Sequence, residues 1–374
     1  MNLELQTRLN LSDKIYQKSI WESALKVAKG QRLEAPLLVE IDTTAYCDFF
    51  CPECVSFDLL NKSKFSTDRL IKLAYELVEL GVLAVIFVGG GEPLAHPAIG
   101  EVIRILGEAN IKIGIITNGT LINRHLEVLS KYTEWVRISV DAGTSETFEI
   151  FRPHNSNKNA FNYIINNIKL LKKHNPKCIG YSYLLMSRSN EKGEIISSNF
   201  HEVFEAAVLA KEIGCDYFEI KPVFDPVTHR IIKQPLALIQ SLLLQMDKLN
   251  NIISDNYKVI YPQGLVELIT DEYMAKIKPY GKCHICEMRA LITPHGLYIC
   301  PLYRGKENMK YGDIKDKSFK DAWQSKGREQ LIDSVIPSKD CLPKCSRHIS
   351  NLEIYEISKG NINKNVTDDY DLFF

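Results

Sequence analysis

The sequence predicts an α/β fold: a parallel sheet curved into a partial, six-stranded barrel, with a small cysteine-rich C-terminal module made of a β-hairpin and helices. The first observation behind this is alternation. Apolar strand-like runs at Leu37 to Ile41, Ala84 to Val88, Ile111 to Ile116, Trp135 to Val140, Ile179 to Leu185 and Tyr217 to Ile220 are separated by amphipathic stretches starting near Thr67, Ile99, Ile122, Phe161 and Phe200, the pattern of repeated βα units. The count suits a barrel cut down from the eight-fold form. The second observation is that glycines and short polar residues cluster just after these runs, at the carboxyl ends where parallel sheets place their chemistry. The third is cysteine density, since eight of ten cysteines fall in two clusters near the two ends of the chain.

Taken in order, residues 1–34 show helical spacing (Ile15, Ile20, Trp21, Ala24, Leu25, Ala28) that stops at Gly30, a usual helix terminator. Residues 35–225 hold the six strands. Residues 226–282 read as a bridge, with an amphipathic helix from Leu236 to Ile253 and a short strand and turn in VIYPQGLVEL. Residues 283–374 form the cysteine-rich module and a tail from Asn361, polar and then acidic and aromatic, predicted as a disordered tail or a strap across the barrel.

At 374 residues, one large domain and a smaller one are expected. Forty-six basic residues balance forty-six acidic ones, so no overall attraction to nucleic acid or an anionic membrane is implied. The first twenty residues lack a continuous apolar core and no stretch reaches the length of a membrane span, which argues against export and membrane insertion. Ten cysteines in such a chain imply a reducing cytoplasm where thiols serve metals rather than disulfides. Cys178 and Cys215, outside both clusters, read as buried core thiols.

The stretch that organises the chain is LLVEIDTTAYCDFFCPECVS, residues 37–56. A strand opens into a loop carrying Cys47, Cys51 and Cys54. Structural zinc takes four protein ligands, whereas a cubane held by three cysteines keeps one iron free for another ligand. The Cys47-x3-Cys51-x2-Cys54 spacing resembles the signature of the radical SAM enzymes, whose fold is a partial (β/α)6 TIM-like barrel. The resemblance implies a [4Fe-4S] cluster on these three residues, with S-adenosylmethionine (SAM) chelating the free iron. One position departs from the family: the residue before the third cysteine, commonly aromatic and near the adenine, is Glu53, and Phe49 and Phe50 lie inside the first gap.

The same resemblance assigns the cofactor site. Gly89, Gly90 and Glu92, in GGGEP after the second strand, match the motif whose backbone and acid hold the SAM amino group. Thr117 and Asn118 after the third strand, and Ser139 and Asp141 after the fourth, match residues lining ribose and methionine; as bare sequence they are equally strand-end turn chemistry. Arg152 matches a position that pairs with the SAM carboxylate, and Asn190, with Glu191, a further ribose contact. Lys221-Pro222 closes the sixth strand, where the substrate pocket is expected.

Downstream lie Cys283-x2-Cys286, Cys300 inside LITPHGLYICPL, and Cys341-x3-Cys345. A hairpin turning at His295-Gly296 would carry Cys283 and Cys286 near one end and Cys300 near the other side. Spacing alone leaves zinc and iron-sulfur both open. The region resembles the SPASM or shorter twitch auxiliary-cluster module, implying an auxiliary [4Fe-4S] cluster on four of the five cysteines, and either Cys283 or Cys286 as a spare, catalytic thiol. The function so implied is reductive cleavage of SAM to a 5'-deoxyadenosyl radical that abstracts hydrogen from an unactivated carbon, followed by oxidation or epimerisation. Electrons would come from a reducing partner such as flavodoxin or ferredoxin. About thirty-five residues precede the first strand, leaving no room for a fused leader-peptide-binding domain, so a small-molecule substrate such as a sugar, aminocyclitol or cofactor precursor is expected ahead of a peptide. A non-catalytic zinc scaffold is the alternative from another class; it leaves the three-cysteine loop and GGGEP without a role.

Overall fold

The computed structural model describes residues 11, 13–156, 158–228, 230–262, 264–270, 278–342, 345–362 and 364–374. All six expected strands are present: β1 (Leu38–Ile41), β2 (Ala84–Phe87), β3 (Lys112–Thr117), β4 (Thr133–Ser139), β5 (Ile179–Leu185) and, after a small hairpin of β6 (Ser187–Ser189) and β7 (Ile195–Ser198), β8 (Tyr217–Pro222). They lie parallel in chain order. The parallel sheet is larger than expected, because β9 (Lys258–Ile260) joins β8 and β10 (Arg289–Thr293) joins β1, both parallel. Two antiparallel strands, β11 (Gly296–Tyr298) and β12 (Lys310–Gly312), extend it beyond β10. The C-terminal hairpin therefore continues the barrel sheet.

Each βα unit follows from local chemistry. In the helix Thr67–Glu79, Ser66 caps the amino end by accepting from the Arg69 amide. Leu70, Leu73 and Leu77, spaced three and four apart, are fully buried against the sheet. Truncating Leu73 to alanine would cost about 2–5 kcal/mol. Strand β1 is buried along its whole length because one face meets the helices and the other the barrel interior. The helices expected near Ile122 and Phe200 each begin with a short 3-10 turn and continue as Leu126–Tyr132 and Val203–Glu212.

The hairpin turn falls at Pro294-His295, since Thr293 pairs with Gly296. Cys283 and Cys286 do not lie across the hairpin from Cys300. An antiparallel hairpin returns to its starting edge, so the residues before β10 and after β11 meet, and all three cysteines line one cavity. Of the two isolated thiols, Cys215 is buried as expected, while Cys178 is half-buried at the start of β5 and lines the barrel interior.

The tail is an ordered strap. Thr367 exchanges backbone bonds with Tyr16 and Lys18, Lys14 Nζ donates to the Phe373 carbonyl at 2.6 Å, and Phe373 packs edge-on against Trp135. Phe374 is fully buried. Because Trp135 and Lys112 sit at the amino ends of β4 and β3, the strap closes the end of the barrel opposite the thiol loop. No helix among the described residues is long and apolar enough to cross a membrane.

Candidate functional site

The loop after β1 is anchored by an aromatic residue rather than by its cysteines. Phe49 is buried and meets Phe148 and His154 edge-on, at centroid distances of 5.8 and 5.0 Å, while Phe50 is exposed. Burial pushes Cys47 up to about 12 and Cys51 up to about 11, and raises Cys54 as well. Thiols so placed are protonated at neutral pH, so iron must displace protons to bind. Glu53 is held by Arg188 of β6 through bonds of 2.9 and 3.1 Å, and Arg188 also covers the Phe151 ring. An ion pair thus stands where the family commonly has an aromatic residue.

Glu92 reaches the same edge from the second strand. Its carboxylate is buried and accepts from the Thr117 hydroxyl at 2.6 Å, the Asn118 amide at 2.7 Å and the Leu94 amide at 3.0 Å. Burial still outweighs these donors and pushes Glu92 up to about 7. Gly91, the third glycine of the motif, makes its closest approach to the protein itself: a Cβ there would stand 2.1 Å from the Tyr46 carbonyl oxygen. The Glu92 amide donates to that same carbonyl at 2.7 Å, so the glycine motif is fastened to the thiol loop. Gly89 has φ +122 and Gly90 lies against Asp42.

Asn118 donates through Nδ2 to Asp48 at 2.6 Å and lies 3.8 Å from Cys47 Sγ. Asp48 also accepts from Thr120 at 2.8 Å. Asp48 was not predicted, because an acid between cysteines has no local signature, whereas Thr120 belongs to the Thr117-Asn118-Gly119-Thr120 run read as lining SAM. Ser139 ends β4 opposite Ser182. Asp141, a buried residue at φ +62, accepts from the Leu184 amide at 2.8 Å and from Arg152 Nη1 at 2.5 Å. Left-handed backbone at a non-glycine residue is a strained conformation typical of functional sites. Arg152 keeps its buried Nε without a hydrogen-bond partner among the described residues. Asn190 lies elsewhere: its side chain closes the β6–β7 turn through Lys192 and Glu194.

The five downstream cysteines line a cavity of ≈ 180 Å³ together with Glu40, Arg289 and Arg347. Cys283 is drawn down to about 7, first by its contact with Cys286, whose own thiol is raised and donates to the Ile299 carbonyl at 3.2 Å. Among the described residues, no three Cys, His, Asp or Glu side chains crowd together as ligands of a single ion do. Thiols ringing a cavity suit a cluster, whose irons each take a separate sulfur. At the thiol loop the donor set fits too: three cysteines for iron, the Glu92 carboxylate for an ammonium group and the free Arg152 Nε for a carboxylate.

Comparison with known proteins agrees with this geometry. The profile of the radical SAM superfamily matches residues 41–196. GTP 3',8-cyclase of Synechocystis is 27% identical over 189 residues, 49% of this chain and 53% of that protein. The antilisterial bacteriocin subtilosin biosynthesis protein AlbA of Bacillus subtilis is 27% identical over 233 residues, 61% of this chain and 48% of that protein. This chain spans about half the length of the curated relatives it matches. Among solved structures, Streptococcus suis SuiB bound to its precursor peptide SuiA superposes with a TM-score of 0.61 at 18% identity, over 85% of this chain and 71% of SuiB; at that identity the likeness is one of fold. The chain therefore carries a domain of the radical SAM superfamily, and with it the family's [4Fe-4S] cluster and S-adenosylmethionine.

Proposed function

We propose that this protein is a radical SAM oxidoreductase that acts on a small molecule and uses a second, auxiliary [4Fe-4S] cluster. The observation that carries the reading is convergence: Cys47, Cys51, Cys54, Glu92, Asn118, Asp141 and Arg152 meet at the carboxyl edge of one parallel sheet, linked by the bonds described above. When bound, cluster and SAM supply a 5'-deoxyadenosyl radical that abstracts hydrogen from an unactivated carbon.

The chain's own residues do the rest. Cys47, Cys51 and Cys54 hold iron as thiolates. Ionised Glu92 neutralises the SAM ammonium, with Thr117 and Asn118 fixing its orientation. Arg152 takes the SAM carboxylate through its free Nε while Asp141 holds its Nη1. Gly89 and Gly90 give backbone access, and Ser139 is assigned to the ribose side, whereas Asn190, held in the β6–β7 turn, drops out of that set. Downstream, Cys300, Cys341 and Cys345 with Cys283 form the auxiliary ligand set. The bond from Cys286 Sγ to Ile299 favours Cys286 as the spare thiol, which is the candidate hydrogen donor. A reducing cytoplasm and a flavodoxin or ferredoxin partner complete the reading.

A second reading has its own support. SuiB is seen with its precursor peptide and AlbA is a bacteriocin biosynthesis protein, so a peptide substrate is the alternative within the same chemistry. The test is anaerobic reconstitution, reduction with dithionite and chromatography for 5'-deoxyadenosine. Formation of 5'-deoxyadenosine that stops in the Cys51→Ala variant supports the proposal; a fully reconstituted protein that leaves SAM intact overturns it.

A further inference from the structure

On the inner face of the barrel two cations share a single acid. Inside, Glu219 of β8 accepts from Arg137 Nη1 of β4 at 2.9 Å and from Lys221 Nζ at 3.3 Å, two cations on one acid. Residues 219 and 221 lie two apart on a strand and so share the inward face. The Arg137 Nε is buried and has no hydrogen-bond partner among the described residues. A second pairing has the same proportions, with Arg289 and, at 3.8 Å, Arg347 both on Glu40.

These two surpluses differ in what faces them. Arg347 and Glu40 line the cavity of the five downstream cysteines as well as the barrel interior, so thiolates ligating iron would supply their missing negative charge. Arg137 and Lys221 have no thiol among their principal electrostatic neighbours. Of the other acids lining the barrel interior, Glu134 is paired with Lys112 and Lys177 and Asp371 with Lys14, while Asp369 accepts from the Ser19 amide and hydroxyl. The space beside Arg137 is a cavity of ≈ 660 Å³, walled by Ile86, Ile116, Trp135 and Tyr217. Two buried cations sharing one carboxylate are incompletely compensated, and a buried guanidinium N–H left over from that pairing is a directed donor.

We propose that Arg137 and Lys221 form the anchor for an anionic group of the substrate, a carboxylate or a phosphate, held inside the barrel. The inference rests on the enzyme reading above for the word substrate, and deepens it by giving the substrate a charge. Lys221 closes β8 at the same edge of the sheet as the thiol loop, and Asp141 is among its neighbours. An anion seated there presents its remaining carbons toward the SAM site. Burial and the adjacent Arg137 both push Lys221 below its ordinary value, as expected of a cation short of negative partners.

The test uses the reconstituted full chain and calorimetric titration at constant ionic strength, with benzoate and inorganic phosphate as probes and neutral benzamide as control. Benzoate or phosphate should bind and benzamide should not; the tighter of the two names the anionic group. Arg137→Gln should weaken that binding roughly tenfold, the loss of one charge-assisted hydrogen bond. Glu219→Gln removes the internal competitor and should tighten it, which a purely structural ion-pair network would not do. If Arg137→Gln does not fold, the Glu219→Gln result decides. Absence of anion binding, or weaker binding in Glu219→Gln, overturns the inference. SAM cleavage measured on the same preparation keeps the two claims apart: cleavage without anion binding removes only the anion anchor, and anion binding without cleavage removes the enzyme reading.

Discussion

Arg304 grips Asp42 through two bonds, Nε to Oδ2 at 2.5 Å and Nη2 to Oδ1 at 3.1 Å. Asp42 directly follows β1 and leads into the thiol loop; Arg304 follows Cys300 by four residues. Both side chains are buried, so this pair ties one cysteine site to the other. Burial pushes Asp42 up to about 6 despite the attraction of Arg304. Arg304→Met leaves that carboxylate buried alone and should cost roughly 3–5 kcal/mol in urea denaturation. The double variant Arg304→Met with Asp42→Asn should recover most of the loss, since no charge is then stranded. An additive double variant would show that the two residues do not interact.

Glu92 makes SAM binding dependent on pH. Because burial lifts its value from 4.5 to about 7, the folded chain holds a proton that the unfolded chain has lost. Stability of the empty protein should therefore fall as pH rises through that window and level off above it. SAM affinity runs the other way, since its ammonium pairs with the ionised carboxylate, and should rise with pH until about 7. Glu92→Gln should flatten the profile and weaken binding by roughly 1.5–3 kcal/mol above the midpoint. A profile unchanged in this variant would assign the dependence to another group.

Gly91 is the tightest contact between the glycine motif and the thiol loop. Gly91→Ala should displace the loop and cost the SAM-binding cluster, reducing bound iron by about four atoms per chain. Gly281→Ala, where a Cβ meets nothing within 4 Å among the described residues, is the matched control and should keep its iron. Equal iron in both variants would show that the loop tolerates the displacement.

The strap is the part of the fold that the sequence described least sharply. Phe374 is fully buried and its ring lies against Arg289. Phe374→Ala should cost about 3 kcal/mol, read by denaturation. A loss below about 0.5 kcal/mol, the size of an ordinary surface substitution, would mean that the strap does not hold in solution.

What could be read from residues alone follows a physical line. The runs forming β1 to β5 and β8 announce themselves because strands buried on both faces are continuously apolar. Strand β9 escaped as a barrel strand because three residues carry no period. The hairpin of β10 and β11 was visible in TPHG, but not its partnership with β1, since pairing between residues as distant in sequence as Leu38 and Arg289 leaves no local pattern. At the site, Glu92 and the cysteines were legible from spacing. Asp48, and the close contact of Gly91 with the thiol loop, became visible only when the loops were brought together, and the Glu53–Arg188 pair explains how an acid sits at a position usually aromatic.

The most direct measurement is the iron, sulfide and zinc content of the anaerobically reconstituted protein. Two clusters require about eight irons and eight sulfides per chain, and replacing Cys47, Cys51 and Cys54 by alanine should leave about four of each and abolish SAM cleavage. Within the remaining cluster, Cys283→Ala should lose its iron while Cys286→Ala keeps it. Stoichiometric zinc without sulfide would contradict the account.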